Sequence, residues 1–180
     1  MTGLFWEFGY EGTSMHDIER GTGLRKQSLY RAFGDKRGMY LASLAAYEQD
    51  EISRGAKLLD GPGDAGSRFG RLFRHIIDDA TMRGDRRGCF LCNACIDQAP
   101  LDTRTAELVD GMMGRIEDKF DAALNDAGFA ISDPSERRKT TRALLTGYFG
   151  LRVLVKAGAA RATLQDAADR MLSSLCPVAA

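Results

Sequence analysis

Two closely spaced glycine stops do most to constrain what this chain can fold into. Gly21-Thr22-Gly23 closes one helical stretch and Gly34 closes the next, so the segment between them reads as a single short helix, about Arg25 to Phe33. The helix before it is equally short. Ser14 with Asp17 three residues on fits a capping box, with Thr13 as the other candidate cap. Asp35 reads as the cap of a longer helix that begins at Lys36 and runs to about Leu59, offering Met39, Leu41, Leu44, Tyr47 and Ile52 for burial. Upstream, Leu4 to Phe8 looks like the end of a helix closed by Gly9.

The same helical pattern continues through the chain. "DGPGDAG" (residues 60–66) reads as a linker between an N-terminal unit and the rest. Further helices are expected at about 67–82, 89–99, 103–127, from Pro134 onward and at about 163–175. With four prolines and no convincing run of alternating β-branched residues, the expectation is an all-α chain of about nine helices. Hydrophobic content of 44% and charged content of 28% are ordinary for a globular domain. No apolar run approaches the length of a membrane span, and no secretory signal is visible, so the expected location is the cytoplasm.

Lys and Arg total 25 against 25 Asp and Glu, and the isoelectric point is near 6.7, so nucleic-acid contact must come from local charge. "GLRKQSLYRAFGDK" (residues 23–36) supplies it. Two short helices joined by a glycine turn, the second rich in basic and amide side chains, are what a helix-turn-helix requires. Its second helix enters the major groove, and Arg25, Lys26 and Gln27 would lie at the entering end. Arg can fork onto guanine, and Gln can do the same with adenine. Leu29 and Phe33 lie four apart and face inward, with Ile18 as a packing partner, while Tyr30 turns outward toward a phosphate. Lys36, at the start of the next helix, is placed to hold a phosphate together with exposed backbone amides. A solvated basic helix in some other bundle would share this composition.

The segment 5–39 resembles the DNA-binding domain of the TetR/AcrR family of transcriptional regulators. Phe8, Gly9 and Tyr10, then Thr13-Ser14, Ile18, Gly23-Leu24 and the string Ser28-Leu29-Tyr30, Phe33, Asp35-Lys36 carry the resemblance. "RRGCFLCNACIDQAP" and "AGAARATLQDAADRMLSSL" look like segments of one of its subgroups. The resemblance implies an all-helical homodimer with a DNA-binding domain over 1–47 and an effector-binding and dimerisation domain over 48–180. It implies base-reading candidates Arg25, Lys26 and Gln27, and phosphate-contact candidates Thr13, Ser14, Ser28, Tyr30, Arg31 and Lys36. It further implies a one-component regulator, most often a repressor, that is released from operator DNA by a small-molecule effector. Position 25 departs from the family pattern, because Arg stands where a small capping residue is usual. Gly23 or Thr22 would then have to start the helix, or a different base is preferred.

Cys89, Cys92 and Cys95 recur every third residue, but on a helix they spread over about 120° of arc, a poor arrangement for one metal ion. Cys176 is too remote in sequence for spacing to select it. Core packing is the plain reading. The sharper one makes Cys89 a redox candidate, because Arg86, Arg87 and a helix start would lower its thiol pKa. An enzyme using that thiol would need a base, and His16 and His75 are the only histidines, so no catalytic residues, cofactor or metal are expected. An effector pocket would be apolar with a few polar groups, and its candidate lining is Phe69, Phe73, Phe90, Cys92, Met112, Met113, Ile116, Phe120 and Tyr148. The last two helices carry Gly147, Gly150 and several alanines, which permit the close approach of a four-helix dimer interface. The alternatives that stay open are a Cys89-based electrophile or oxidant sensor on the same fold, and an interaction module that has lost DNA binding.

Overall fold

Ser14 and Asp17 satisfy each other's amides at 3.1 Å in both directions, and this reciprocal cap opens helix α2, Met15–Thr22. Gly23 ends it in the left-handed conformation (φ 70°), donating its amide to the Glu19 carbonyl at 2.9 Å. Helix α3, Lys26–Phe33, closes at Gly34 (φ 83°), whose amide reaches the Tyr30 carbonyl at 2.8 Å. Asp35 then accepts the Gly38 amide at 2.7 Å and opens α4, Lys36–Tyr47. Helices of eight residues are marginal alone in water. These two persist because each buries an apolar anchor, Ile18 in α2 and Leu29 in α3.

This computed structural model describes residues 1–127 and 133–175. The remaining helices are α1, Thr2–Gly12; α5, Ser53–Leu59; α6, Ala65–Thr81; α7, Phe90–Asp97; α8, Thr103–Asp126; α9, Pro134–Lys156; and α10, Arg161–Ser173. A π turn, Glu48–Ile52, joins α4 to α5 with no non-helical residue between them. Counting that stretch once, the described residues hold nine helical runs and no strand, as the all-α expectation requires. Gly9 interrupts α1 as its position implied, at φ 73° and ψ −179°.

The chain forms two compact units, and they are not consecutive in sequence. The first is Met1–Ile52 with Cys89–Met112; the second is Ser53–Gly88 with residues from Met113 onward. The expected linker at 60–66 is therefore not the boundary. It lies wholly within the second unit, where Arg71 donates to the carbonyls of Leu58 and Pro62, and Arg68 to those of Leu59 and Gly63.

Aromatic rings form the core of the first unit. Tyr40 of α4 meets Phe5 and Tyr10 of α1, both at 5.3 Å, and Phe90 of α7 at 5.5 Å, all edge to face. Tyr47 continues the cluster to Trp6 at 4.8 Å and Phe90 at 5.8 Å. Such pairs contribute roughly 0.5–1.5 kcal/mol each beyond the area they bury. In the second unit α6 packs against α5, α9 and α10. Phe69 meets Phe120 at 5.0 Å, and Phe120 meets Tyr148 at 5.6 Å. The small residues let α10 come close: a Cβ on Gly147 would stand 2.0 Å from the Met171 sulfur.

Candidate nucleic-acid interface

Leu29 is buried and Phe33 half-buried, which turns the rest of α3 outward. Arg25, Lys26, Gln27, Ser28, Tyr30 and Arg31 are all exposed. All six candidates on this segment therefore stand at the protein surface, with Tyr30 turned outward as its spacing from Leu29 implied. Lys26 lies over the Tyr30 ring at 5.4 Å, which stiffens both without burying either. Ser14 is also exposed, its hydroxyl shared with the Asp17 carboxylate.

Thr13 is the exception. Its side chain is 1% exposed, and its hydroxyl donates to the Gly9 carbonyl at 2.8 Å and the Leu4 carbonyl at 3.3 Å. A hydroxyl committed to repairing the break in α1 does not face a phosphate, so Thr13 is a splice between α1 and α2 rather than a contact.

Lys36 is half-buried, with its ammonium 4.4 Å above the Tyr10 ring. Arg37 takes a place against the same ring at 4.1 Å. It also donates to Gln98 at 2.7 Å and lies 3.9 Å from Asp102. Burial pushes the Tyr10 hydroxyl up from its ordinary pKa, with Arg37 pulling it partly back. The Asp102 carboxyl lies below its ordinary value, chiefly because Thr105 hydrogen-bonds it through hydroxyl and amide. Asp97 accepts the Tyr10 amide at 3.3 Å and the Gln98 side chain at 3.1 Å. The corner between α7 and α8 is thus fastened to α1 and α4 by polar groups. The residue spacing carried no sign of this, because the partners lie about sixty and ninety positions apart.

Two further features escaped the sequence reading. Gly38 is sterically required, because a Cβ there would stand 1.9 Å from the Phe33 carbonyl oxygen. A glycine in the first turn of a helix is unfavourable unless packing demands it, and that was the available signal. The cap of α3 is the second. Arg25 occupies the N-cap position but makes no side-chain cap. Neither Gly23 nor Thr22 replaces it. The Lys26 amide instead donates to the carboxylate of Glu19, across the turn in α2, at 2.6 Å.

Cys89 stands at the N-cap of α7, is 2% exposed, and accepts the Tyr47 hydroxyl at 3.4 Å. Its burial opposes the access that a sensing thiol needs. Cys92 and Cys95 are half-buried, and burial, with Cys89 adding, pushes the Cys95 thiol up. No group of metal-ligating side chains occurs among the described residues, and Cys176 lies outside them. His75 pairs with Asp79 one turn on at 3.3 Å, a surface role.

The pocket candidates divide between the units. Phe90 is in the first unit's ring cluster, with buried Met112 and half-buried Cys92 in the same unit. Phe69, Phe73, Ile116, Phe120 and Tyr148 are buried in the second, with Met113 half-buried. No described helix is long and apolar enough to cross a membrane.

Two short helices paired across a glycine turn, the second with an outward row of cations, define a helix-turn-helix protein. Residues 2–43 match the family model for bacterial regulatory proteins of the tetR family. The uncharacterized HTH-type transcriptional regulator YezE of Bacillus subtilis (strain 168) is 27% identical over 175 residues, 96% of this chain and 90% of that protein. The HTH-type transcriptional repressor ComR of Escherichia coli (strain K12) is 32% identical over 98 residues, 54% of this chain and 47% of that protein. Among solved structures, a cysteine mutant of the TetR family transcriptional regulator CifR, complexed with 26-base-pair operator DNA, superposes with a TM-score of 0.85 at 25% identity, covering 96% of this chain and 92% of that one. Residues 2–43 thus carry the N-terminal domain of the tetR family, and the chain as a whole is similar in fold to a TetR family transcriptional regulator.

Proposed function

We propose that this regulator is a one-component repressor that binds operator DNA as a homodimer and is released by a small-molecule effector. The observation that carries this is the exposed row on α3. Arg25, Lys26 and Gln27 lie at the end that would enter the major groove, and Ser28, Tyr30 and Arg31 follow. Base edges are read by Arg25, Lys26 and Gln27, while Ser14, Ser28, Tyr30, Arg31 and Lys36 hold phosphates. The operator complex of CifR supports the reading. The DNA contacts lie within residues 1–47, and the effector-binding and dimerisation elements lie within 48–180.

The dimer forms through α9 and α10. On α9, Gly150, Val153 and Leu154 are exposed, and a Cβ at Gly150 would meet nothing within 4 Å, so this side of the helix is small, apolar and open. A two-fold dimer would read half-sites one helical turn apart, about 34–36 Å. The effector site lies in the second unit, among Phe69, Phe73, Met113, Ile116, Phe120 and Tyr148. Effector and DNA then weaken each other's binding by the same factor. The regulator acts in the cytoplasm and carries no catalytic role.

The test uses duplexes that the protein itself enriches from a randomised library. Affinity should fall steeply with salt, and Lys36→Ala should reduce the slope of log K against log salt by about 0.9, one phosphate's share. Binding that survives combined loss of Arg25, Lys26, Tyr30 and Lys36 would contradict the proposal.

A further inference from the structure

The reading helix needs a cap, and this chain supplies it from another helix. The amides of an α-helix's first turn have no partner within the helix, and an N-cap Ser, Thr, Asp or Asn ordinarily accepts from one of them. Here position 25 is Arg, a side chain with donors only. Its carbonyl still starts the helix, accepting from Ser28 at 2.9 Å and Leu29 at 3.1 Å. The first amide, Lys26, is accepted by Glu19, seven residues earlier and in the last part of α2. Thr22 cannot take that role, because its hydroxyl donates to the Ile18 carbonyl at 2.7 Å and accepts the Leu24 amide at 3.3 Å within the turn.

We infer that Glu19 is a positioning residue, capping the reading helix from α2, and that this releases position 25 to be a base-reading side chain. The inference rests on the proposed DNA reading and adds a division of labour to it. In a helix-turn-helix whose position 25 caps, that side chain folds back on its own helix and cannot reach outward. Here the carboxylate of Glu19 does the capping, with its charge at the favourable end of the helix dipole. Arg25 is left exposed at the end of α3 that approaches base edges, with a fork able to take guanine O6 and N7. Glu19 also spans the glycine turn, so it fixes the angle between the two helices as well as the start of the second.

Four variants of the full chain test this, Glu19→Ala, Glu19→Gln, Arg25→Ser and the double variant Glu19→Ala/Arg25→Ser. Amide exchange over 26–29 and selection from the randomised duplex library are the two readouts. Loss of a cap worth about 1 kcal/mol predicts roughly fivefold faster exchange in Glu19→Ala. Glu19→Gln keeps an oxygen acceptor and should stay near wild type. A serine at position 25 can cap from its own place by accepting the Gln27 or Ser28 amide, so the double variant should regain protection of the helix start, though not of the Lys26 amide itself. Both proteins that carry Arg25→Ser should lose a base preference that wild type and Glu19→Ala share at one position of each half-site. Unchanged exchange in Glu19→Ala, purely additive effects in the double variant, or identical selected sequences with and without Arg25 would each overturn the inference. If wild type enriches no sequence, the DNA reading fails, and the exchange experiment still decides whether Glu19 caps α3.

Discussion

Gly38→Ala is the substitution whose outcome the structure constrains most. Gly38 lies in the first turn of α4, and its missing Cβ would stand 1.9 Å from the carbonyl oxygen and 3.1 Å from the carbonyl carbon of Phe33, the last residue of α3. Ordinary contact begins near 3.4 Å, so the two segments must part by about 1.5 Å to admit the methyl group. Both sides of the clash are main chain, and the Asp35 carboxylate already holds the Gly38 amide, so no side chain can swing aside. Overpacking of this kind costs about 1–3 kcal/mol, and the helix propensity of Ala offsets about 1 kcal/mol of that. The net expectation is a stability loss of up to about 2 kcal/mol. Gly114 in α8 is the control, since a Cβ there meets nothing within 4 Å. Gly114→Ala should raise stability by up to about 1 kcal/mol. Urea titration compares the two against wild type. Anisotropy with a selected duplex reads the second consequence: displacing the reading helix forfeits base contacts worth about 1–3 kcal/mol each, so affinity should drop tenfold or more. A Gly38→Ala protein as stable as Gly114→Ala, with undiminished affinity, would refute the steric reasoning.

Thr13→Val keeps the shape but removes the hydroxyl that donates to Gly9 and Leu4, so chemical unfolding should show a loss of about 1–2 kcal/mol; an unchanged midpoint would remove the splice. Asp121 is held below the ordinary carboxylate range chiefly by hydrogen bonds from Arg137, with Thr141 adding. A carboxyl whose folded pKa is depressed contributes stability that is present above its unfolded pKa, about 3.9, and is lost as pH falls through the folded value. Stability measured by urea midpoints should therefore decline below about pH 4, and Asp121→Asn should flatten that decline. In the native protein Cys89 should resist an aromatic disulfide reagent at neutral pH until unfolding exposes it, and Cys95 should react slowly. Rapid native modification of Cys89, read by mass spectrometry, would reinstate the sensor reading.

Local chemistry made the DNA-facing helices legible. Ser14–Asp17, Gly23, Gly34 and Asp35 act on amides and carbonyls within four residues of themselves, so their roles stand in the chain order. The inward and outward sides of α3 followed from the spacing of Leu29 and Phe33. Burial of Thr13 did not, because a Thr next to a Ser is an equally good cap until the break in α1 claims its hydroxyl. The ring partners of Phe90 were not legible, because an apolar helix carries no label for which ring it will meet; Tyr40 and Tyr47 lie more than forty positions away. The 60–66 segment has the composition of a linker, but Arg68 and Arg71 from the next helix bind its carbonyls. Arg25 was read as a departure from the family pattern, and its replacement cap sat on a different helix, outside the reach of any local motif.

The discontinuity of the first unit bears on how this regulator can be taken apart. A fragment cut after Ile52 would carry the whole reading surface but leave behind Phe90, Asp97, Gln98 and Asp102, exposing the flanks of Tyr40 and Tyr47 and stripping Arg37 of its anchors. On the proposed reading, the helix-turn-helix is therefore not a portable cassette: grafting it elsewhere transplants the recognition residues without the scaffold that holds them, unless α7 and the start of α8 travel with it.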